Sequence, residues 1–253
     1  MTGRNAWTLS DTTADLRRSA RGPVPVEVTA APQDLVLDLA RTAVVVVDMQ
    51  NDFCHPDGWL AGIGVDVTPA RAPIPVLAEL VPALRGAGAA VVWVGWGNRP
   101  DRANLPPGVL HVYDPAGTGT GIGSLSNRAG APVLQEGSWA AALVEELAAV
   151  VEPGDVHVPK FRMSGFVDTV LDSVLRNLRV DTLLLTGVNA DQCVLNTLTD
   201  AANLGYDVVM VEDAVATTSP SFCMDATVYN VRQCYGFTTR AANLLPAVRR
   251  AGA

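Results

Sequence analysis

The chain contains few of the residues on which several protein classes depend. Its 253 residues include one lysine among 18 basic residues, three histidines and four cysteines, and the formal net charge is −8. No cluster of Lys and Arg offsets this charge, so a nucleic-acid partner is not expected. The cysteines form no CxxC pair, and a chain of this length does not need disulfide staples, so we expect free thiols.

Long hydrophobic segments are also missing. The longest apolar runs, such as residues 43–47 and 183–185, have the length of strands and fall far short of the ~20 residues that a membrane helix needs. The N-terminal segment has arginines but lacks the continuous apolar stretch of a secretory signal. We therefore expect no membrane span and a cytoplasmic location.

From about residue 40 onwards, short apolar and β-branched runs alternate with segments of helical spacing. This pattern predicts an α/β protein, a three-layer α/β/α sandwich with a mainly parallel, Rossmann-like six-stranded sheet. We expect an N-terminal arm at residues 1–40 and one domain at residues 41–253. The predicted strands are Ala43–Val47, Ala90–Val94, Asp155–Val158, Thr182–Thr186, Asp207–Val211 and Gly236–Thr238. Helices are predicted at about 69–87, 138–150, 168–178, 192–204, 219–234 and 240–250.

The segment 97–137 departs from this alternation because it is rich in proline and glycine. A loop of this length in a compact domain is usually a lid, a subunit contact or disordered. Its glycines do not form a GxGxxG pattern and no strand leads into them, so a dinucleotide site is not expected.

Three reactive side chains follow predicted strands: Asp48, Lys160 and Cys193. In a doubly wound sheet the ligand site lies outside the carboxyl ends of the strands, so these side chains should converge. Cys193 begins a predicted helix, where free N–H groups and a nearby ammonium would favour the thiolate and could bind an oxyanion. Asp48 could accept the thiol proton.

Each of the three residues also has a structural explanation. A buried cysteine can act as a small apolar residue, an aspartate can cap a strand end, and a lysine can be a solvated charge at the rim. The identity of the lysine favours function, because Lys160 is the only lysine in a chain whose other basic residues are all arginine. Unlike arginine, a lysine ammonium is compact and can change its protonation state.

Three motifs are Val46-Val-Asp48-Met-Gln-Asn-Asp-Phe53, Pro159-Lys160-Phe-Arg-Met-Ser-Gly165-Phe166 and Thr186-Gly187…Cys193-Val194. They resemble the isochorismatase-like cysteine hydrolases, and the resemblance covers about residues 40–240. Within this family the sequence is most similar to the ureidoacrylate and biuret amidohydrolase branch, through Gly137-Ser-Trp139, Val144-Glu-Glu-Leu147, Pro153-Gly-Asp155, Leu171-Asp-Ser-Val-Leu-Arg176 and Val211-Glu-Asp213-Ala. The resemblance implies an Asp48–Lys160–Cys193 triad and a thioester intermediate that water resolves. It also implies a cis peptide at Val188–Asn189 and an oxyanion hole built from the N–H groups of Asn189 or Ala190 and of Cys193.

Nicotinamidases are similar too, but the resemblance implies a metal site that this chain does not match. The corresponding segment 95–101 has no histidine, and His55 with Asp52 would supply only two ligands where a catalytic metal normally has three. His111 and His157 are better explained as loop and strand side chains. We expect neither a metal nor another cofactor.

The predicted substrate is a small planar molecule with an amide or ureido C–N bond, with water as co-substrate. The candidate substrate-binding residues are Phe53, Trp96, Asn98, Tyr113, Phe161, Phe166 and Gln192, with Tyr229 and Cys234 as weaker candidates. The alternatives are hydrolysis of a larger secondary-metabolite amide and a non-catalytic binding or scaffold protein. The resemblance implies a homodimer or homotetramer.

The sequence before the cysteine differs from that branch. Ureido-type relatives tend to have a Thr-Asn pair there, whereas this chain has Asn189-Ala-Asp-Gln192. The substrate pocket is therefore expected to differ as well.

Overall fold

A seven-stranded sheet with helices around it forms the centre of the computed structural model, which describes residues 5–17, 22–124 and 127–252. The strands are β1 Thr8–Leu9, β2 Ala14–Asp15, β3 Pro25–Val28, β4 Ala30–Ala31, β5 Leu35–Asp38, β6 Thr42–Val47, β7 Ala90–Trp96, β8 Val156–Lys160, β9 Thr182–Gly187, β10 Asp207–Val215 and β11 Phe237–Thr239. The predicted α/β fold with a mainly parallel sheet is confirmed.

The helices are shorter and more numerous than the sequence predicts. They are α1 Asn51–Cys54, α2 Trp59–Gly62, α3 Thr68–Arg71, α4 Pro73–Gly86, α5 Pro107–Leu110, α6 Glu145–Ala148, α7 Leu171–Asn177, α8 Leu195–Asn203, α9 Ser221–Asn230 and α10 Ala241–Ala251. One 3-10 turn spans Leu39–Arg41, and π-helical turns span Ala190–Val194 and Val231–Tyr235. None of the described helices is both long enough and apolar enough to cross a membrane.

The strand order is β4-β11-β10-β9-β6-β7-β8, and all neighbouring strands are parallel except β4, which runs antiparallel to β11. In chain order, β7 and β8 follow β6 on one side of it, and β9, β10 and β11 are then added on the other side. The order therefore reverses between β6 and β9, and ligands bind at such a point in α/β sheets. Every residue of β6 is buried, as expected for a strand covered on both faces.

Residues from the predicted arm contribute to the sheet and core. β4 adds the seventh strand, which the sequence analysis does not predict, and the β3–β5 hairpin packs against α10. Val26, Val28 and Leu37 of this hairpin are buried. The motifs that resemble a known family begin after this hairpin. The contribution of the hairpin to the core is therefore seen only in the structure.

The predicted helix at 138–150 is wrong over most of its length, since only α6 is helical there. The backbone before α6 pairs instead with the loop after β6: Asn51 N–H donates to Ala142 O at 2.9 Å, and Asp52 N–H to Ala140 O at 3.1 Å. Gln50 also forms a β-bridge with Leu143. These carbonyl groups are bonded to a distant segment and cannot accept helical hydrogen bonds.

Candidate active site

The structure brings Asp48, Lys160 and Cys193 together at the carboxyl edge of the sheet. Lys160 Nζ lies 2.8 Å from Asp48 Oδ2 and 3.3 Å from Cys193 Sγ. Asp48 follows β6, Lys160 is the last residue of β8, and Cys193 lies in the π-helical turn after β9. The side chains of the Asp48–Lys160 pair are 0% exposed, so the charges are shielded from solvent.

Lys160 reaches the other two residues by crossing the end of β7, which lies between β6 and β8. Its ammonium passes over the ring of Trp96, with Nζ 4.2 Å from the ring centroid, and donates to the carbonyl of Arg162 at 3.2 Å. An aromatic face and a carbonyl are favourable neighbours for a buried ammonium.

The backbone at the ends of β6 and β9 directs Asp48 and Cys193 into the site. Asp48 has φ +53°, a left-handed conformation that turns the chain sharply after the strand. Gly187 has φ +102°, and a Cβ at this position would lie 2.0 Å from Val47 O, so only glycine fits beside β6. The predicted cis peptide at Val188–Asn189 is present.

Burial and charge shift the pKa values of these three groups. Burial raises the pKa of Asp48 above 3.8, and the Lys160 ammonium offsets this only in part. For Lys160, burial lowers the pKa, but the charges of Asp48 and Cys193 outweigh it and the pKa lies above 10.5. The ammonium therefore stays protonated at neutral pH, while Asp48 is a stronger base than an ordinary aspartate.

The thiol of Cys193 differs from the sequence expectation of a favoured thiolate. Cys193 is only 5% exposed, and burial raises the pKa of its thiol, an effect that the nearby Lys160 ammonium does not overcome. A thiolate would place a second negative charge beside Asp48 in a dry site. With its pKa raised above the ordinary value, the Cys193 thiol is protonated at neutral pH.

One of the predicted oxyanion donors is already engaged. The Ala190 N–H donates to the carbonyl of Ala216 at 2.8 Å, which connects the turn that carries Cys193 to the residue that follows β10. Of the two alternatives in the sequence analysis, the Asn189 N–H is thus favoured over the Ala190 N–H as the oxyanion-hole donor that would act together with the Cys193 N–H.

Two of the candidate substrate-binding residues meet next to the nucleophile. Gln192 Nε2 donates to the hydroxyl of Tyr113 at 3.2 Å and to Ser219 Oγ at 3.2 Å. This contact connects the predicted lid or contact segment 97–137 to the residue that precedes Cys193. Trp96 supports the Lys160 ammonium, and the ring of Phe161 packs under the guanidinium of Arg162 at 4.9 Å.

The recorded contacts of the other candidates are with residues other than Asp48, Lys160 and Cys193. Asn98 is buried, its amide donating to the carbonyls of Ile122 and Val133 and its oxygen accepting from the Trp96 indole. Side-chain direction explains this, because a strand-end position does not determine where a side chain points. The remaining aromatic contacts are Phe53 against Trp59 at 6.2 Å and Phe166 against Tyr206 at 5.8 Å.

The two weaker candidates lie on the surface. Tyr229 is 64% exposed on α9, and Cys234 is exposed on the π-helical turn that follows it. Neither has a recorded contact with Asp48, Lys160 or Cys193 among the described residues.

The sequence analysis did not single out two residues that border the triad. The side chain of Gln50 accepts from the Trp96 N–H at 2.7 Å and donates to the Trp96 carbonyl at 2.8 Å, holding the end of β7 in place. Met163 Sδ lies 3.8 Å from Cys193 Sγ. Both lie within the quoted motifs, Gln50 two residues after Asp48 and Met163 three residues after Lys160, so their closeness in sequence to a predicted catalytic residue was an available signal.

The pair considered for a metal site has other partners. The carboxylate of Asp52 accepts from the N–H groups of Trp59 at 3.0 Å and Leu134 at 2.8 Å, and from the amide of Asn127 at 2.6 Å. His55 Nδ1 accepts from the Asp57 N–H at 3.1 Å. Within the described ranges, no three His, Cys, Asp or Glu residues are grouped so that they could hold a metal ion.

Comparison with known proteins places this geometry in a family. The Isochorismatase domain model matches residues 42–243. The chain belongs to the isochorismatase family. A curated relative, the ureidoacrylate amidohydrolase RutB of Azorhizobium caulinodans, is 36% identical over 217 residues, which cover 85% of this chain and 93% of the relative.

Solved structures of this family support the same assignment. A cysteine hydrolase from Pseudomonas syringae pv. phaseolicola is similar with a TM-score of 0.71 and 25% identity, covering 85% of this chain and 95% of that one. An N-carbamoylsarcosine amidase from Thermoplasma acidophilum gives a TM-score of 0.59 and 26% identity, with coverage of 79% and 96%. The prediction of a hydrolase that acts on carbon–nitrogen bonds other than peptide bonds is confirmed.

Proposed function

We propose that this protein hydrolyses the ureido or amide C–N bond of a small planar substrate through a thioester on Cys193. The observation that carries this proposal is the Asp48–Lys160–Cys193 chain of contacts at 2.8 and 3.3 Å. It joins a basic carboxylate, a permanent ammonium and a thiol at the point where the strand order reverses. A site built only for binding has no need of a buried thiol beside a base.

In the first half of the reaction, Cys193 Sγ attacks the carbonyl carbon while Asp48 accepts the thiol proton. The N–H groups of Asn189 and Cys193 stabilise the negative charge on the carbonyl oxygen. Asp48 then returns the proton to the leaving nitrogen as the C–N bond breaks. The products of this half are ammonia or an amine and a thioester.

In the second half, water attacks the thioester and gives a proton to Asp48. The C–S bond breaks, the acid leaves, and the sulfur of Cys193 takes the proton back. Lys160 remains an ammonium throughout and offsets the negative charge, which lies on the Asp48 carboxylate at rest and on the substrate oxyanion while Asp48 holds the proton. Because the three groups and the oxyanion together keep a total charge of zero, the buried site never holds an uncompensated charge.

The relatives favour a ureido substrate among the amides. Two of them are named for ureidoacrylate and for N-carbamoylsarcosine. Beside the nucleophile, Gln192 and Tyr113 offer neutral donors and acceptors that suit a planar ureido group. The cytoplasmic location and the homodimer or homotetramer remain predictions from the sequence.

A substrate panel tests this proposal. We expect ammonia release from ureidoacrylate, biuret or N-carbamoyl amino acids to exceed release from nicotinamide and from aryl amides, and to be unchanged after treatment with a chelator. Turnover of nicotinamide alone, abolished by the chelator, would contradict both the substrate class and the metal-free mechanism. Preference for a bulky aryl amide would favour a larger amide as the substrate.

The pH dependence of kcat/KM provides a second test. Activity requires ionised Asp48, whose pKa lies above 3.8, so the rate should fall with acid around a midpoint above pH 3.8. The pKa of Lys160 lies above 10.5, so the ammonium persists and the rate should stay level from neutral pH towards pH 10.5. Circular dichroism at each pH verifies folding. An acid midpoint at or below pH 3.8 would contradict Asp48 as the base.

A further inference from the structure

The segment that follows β10, Thr217-Thr-Ser219, contacts each polar side chain in the turn that carries the nucleophile. We name residues 217–219 the hydroxyl segment and residues 189–193 the nucleophile turn. The contacts are Thr217 Oγ1 donating to Asp191 Oδ1, Thr218 N–H donating to Asn189 Oδ1 at 3.2 Å, and Gln192 Nε2 donating to Ser219 Oγ at 3.2 Å. Three consecutive residues thus contact the three polar side chains that precede Cys193 in the nucleophile turn.

The backbones of the two segments are also joined. Ala216 N–H donates to Gly187 O at 3.2 Å, and Ala190 N–H donates to Ala216 O at 2.8 Å. These bonds continue the pairing of β9 with β10 beyond the ends of both strands. The hydroxyl segment is therefore held in a fixed register against the nucleophile turn, so its side chains can orient those of the turn.

Thr218 orients Asn189, whose N–H is a proposed oxyanion donor. In addition to the bond from the Thr218 N–H, Asn189 Nδ2 donates to Thr218 Oγ1 at 3.3 Å. The two bonds close a ring between one side chain and one residue of the hydroxyl segment. Because Asn189 is buried and bonded at both ends of its amide, its backbone has little freedom to turn.

Ser219 orients Gln192, the residue directly before the nucleophile. The Gln192 amide lies between the hydroxyls of Ser219 and Tyr113, each 3.2 Å from Nε2. These two hydrogen bonds fix the orientation of the Gln192 amide. A ureido group that binds beside Cys193 would contact this amide. Removing the Ser219 hydroxyl would leave only one of the two anchors of Nε2.

We propose that Thr218 and Ser219 are positioning residues with separate kinetic effects: Thr218 acts through Asn189 on kcat, and Ser219 acts through Gln192 on KM. This inference rests on the proposed function, since it assumes that the Asn189 N–H binds the oxyanion and that Gln192 binds the ureido group. Oxyanion bonds strengthen in the transition state and so change kcat, whereas a bond to the ureido group that is equally strong in the bound substrate and in the transition state changes KM.

The test compares matched variants with ureidoacrylate as the probe, or with the ureido compound of the panel that the wild type hydrolyses fastest. Thr218→Val should lower kcat about tenfold and leave KM within about twofold, because a misplaced oxyanion donor is only partly lost. Ser219→Ala should raise KM about tenfold and leave kcat within about twofold. Thr218→Ser, which keeps the hydroxyl, should restore kcat.

Thr199→Val is the control, because its hydroxyl bonds to the Asn196 carbonyl on the exposed side of α8, and both constants should stay unchanged. Equal changes of kcat and KM in the Thr218 and Ser219 variants, or no recovery with Thr218→Ser, would overturn the inference while leaving the proposed function intact. A wild type that hydrolyses no ureido compound would instead overturn the proposed function.

Discussion

Replacing Cys193 with alanine is expected to lower kcat for the ureido substrate by at least about 10⁴-fold, because the variant has no atom that can form the thioester. Rapid quenching followed by mass spectrometry should detect the acyl adduct on the wild type and none on Cys193→Ala. The side chain is small and the loss of one sulfur leaves the backbone of the nucleophile turn intact, so the fold should be retained.

Cys54→Ala is the matched control for this experiment. Cys54 is also buried, and burial raises the pKa of its thiol to about 12, but its Sγ contacts the carbonyl of Ala70 at 3.6 Å rather than an ammonium. Its removal should leave kcat unchanged and the adduct in place. Persistence of more than about 1% of wild-type kcat in Cys193→Ala would contradict nucleophilic catalysis by this residue.

The second large effect is on stability. Lys160→Met should lower the free energy of unfolding by about 3–5 kcal/mol, because it leaves the fully buried carboxylate of Asp48 without its ion-pair partner. Adding Asp48→Asn should recover a large part of this loss, since the double variant buries no charge. Urea unfolding of the wild type, the two single variants and the double variant measures the coupling between the two positions.

A surface ion pair serves as the comparison. Arg99 and Asp101 are 2.8 Å apart and both side chains are more than half exposed, so Arg99→Met should not change stability measurably. If Lys160→Met fails to fold while the double variant folds, the coupling is demonstrated directly. Losses that simply add in the double variant would contradict the buried pair as the source of the effect.

The stability and the activity of these variants would separate the two roles of Lys160, which are to neutralise the buried Asp48 carboxylate and to take part in the proposed catalysis. The double variant is expected to fold but to lack activity, because it has neither the base nor the ammonium. We therefore expect stability at this site to depend on the balance of positive and negative charge, whereas catalysis should depend on the presence of both the carboxylate and the ammonium.

The protonation state of Cys193 could not be predicted from the local sequence alone. A cysteine at the start of a predicted helix beside an ammonium predicts a thiolate. The opposite direction of its pKa results from burial, together with the charge of Asp48. The proposed mechanism therefore couples attack to proton transfer instead of starting from a preformed thiolate.

The sequence by itself determined the order of the main strands and predicted that Asp48, Lys160 and Cys193 lie at one edge of the sheet. The apolar runs at 43–47 and 182–186 predict buried parallel strands, and the strand-end rule places Asp48, Lys160 and Cys193 on one edge. These signals are local, because a buried strand requires apolar residues whatever its neighbours are. The family resemblance added the cis peptide at Val188–Asn189, which composition and periodicity do not reveal.

Only the tertiary structure decided which side chains meet at that edge. Residues 138–144 are not helical because their backbone bonds to the loop after β6, and Asn98 holds the 97–137 segment instead of facing Cys193. The hydroxyl segment reaches the nucleophile turn because β10 lies beside β9. Such contacts join residues that are far apart in the chain, and no local pattern records which carbonyl or amide a distant segment will supply.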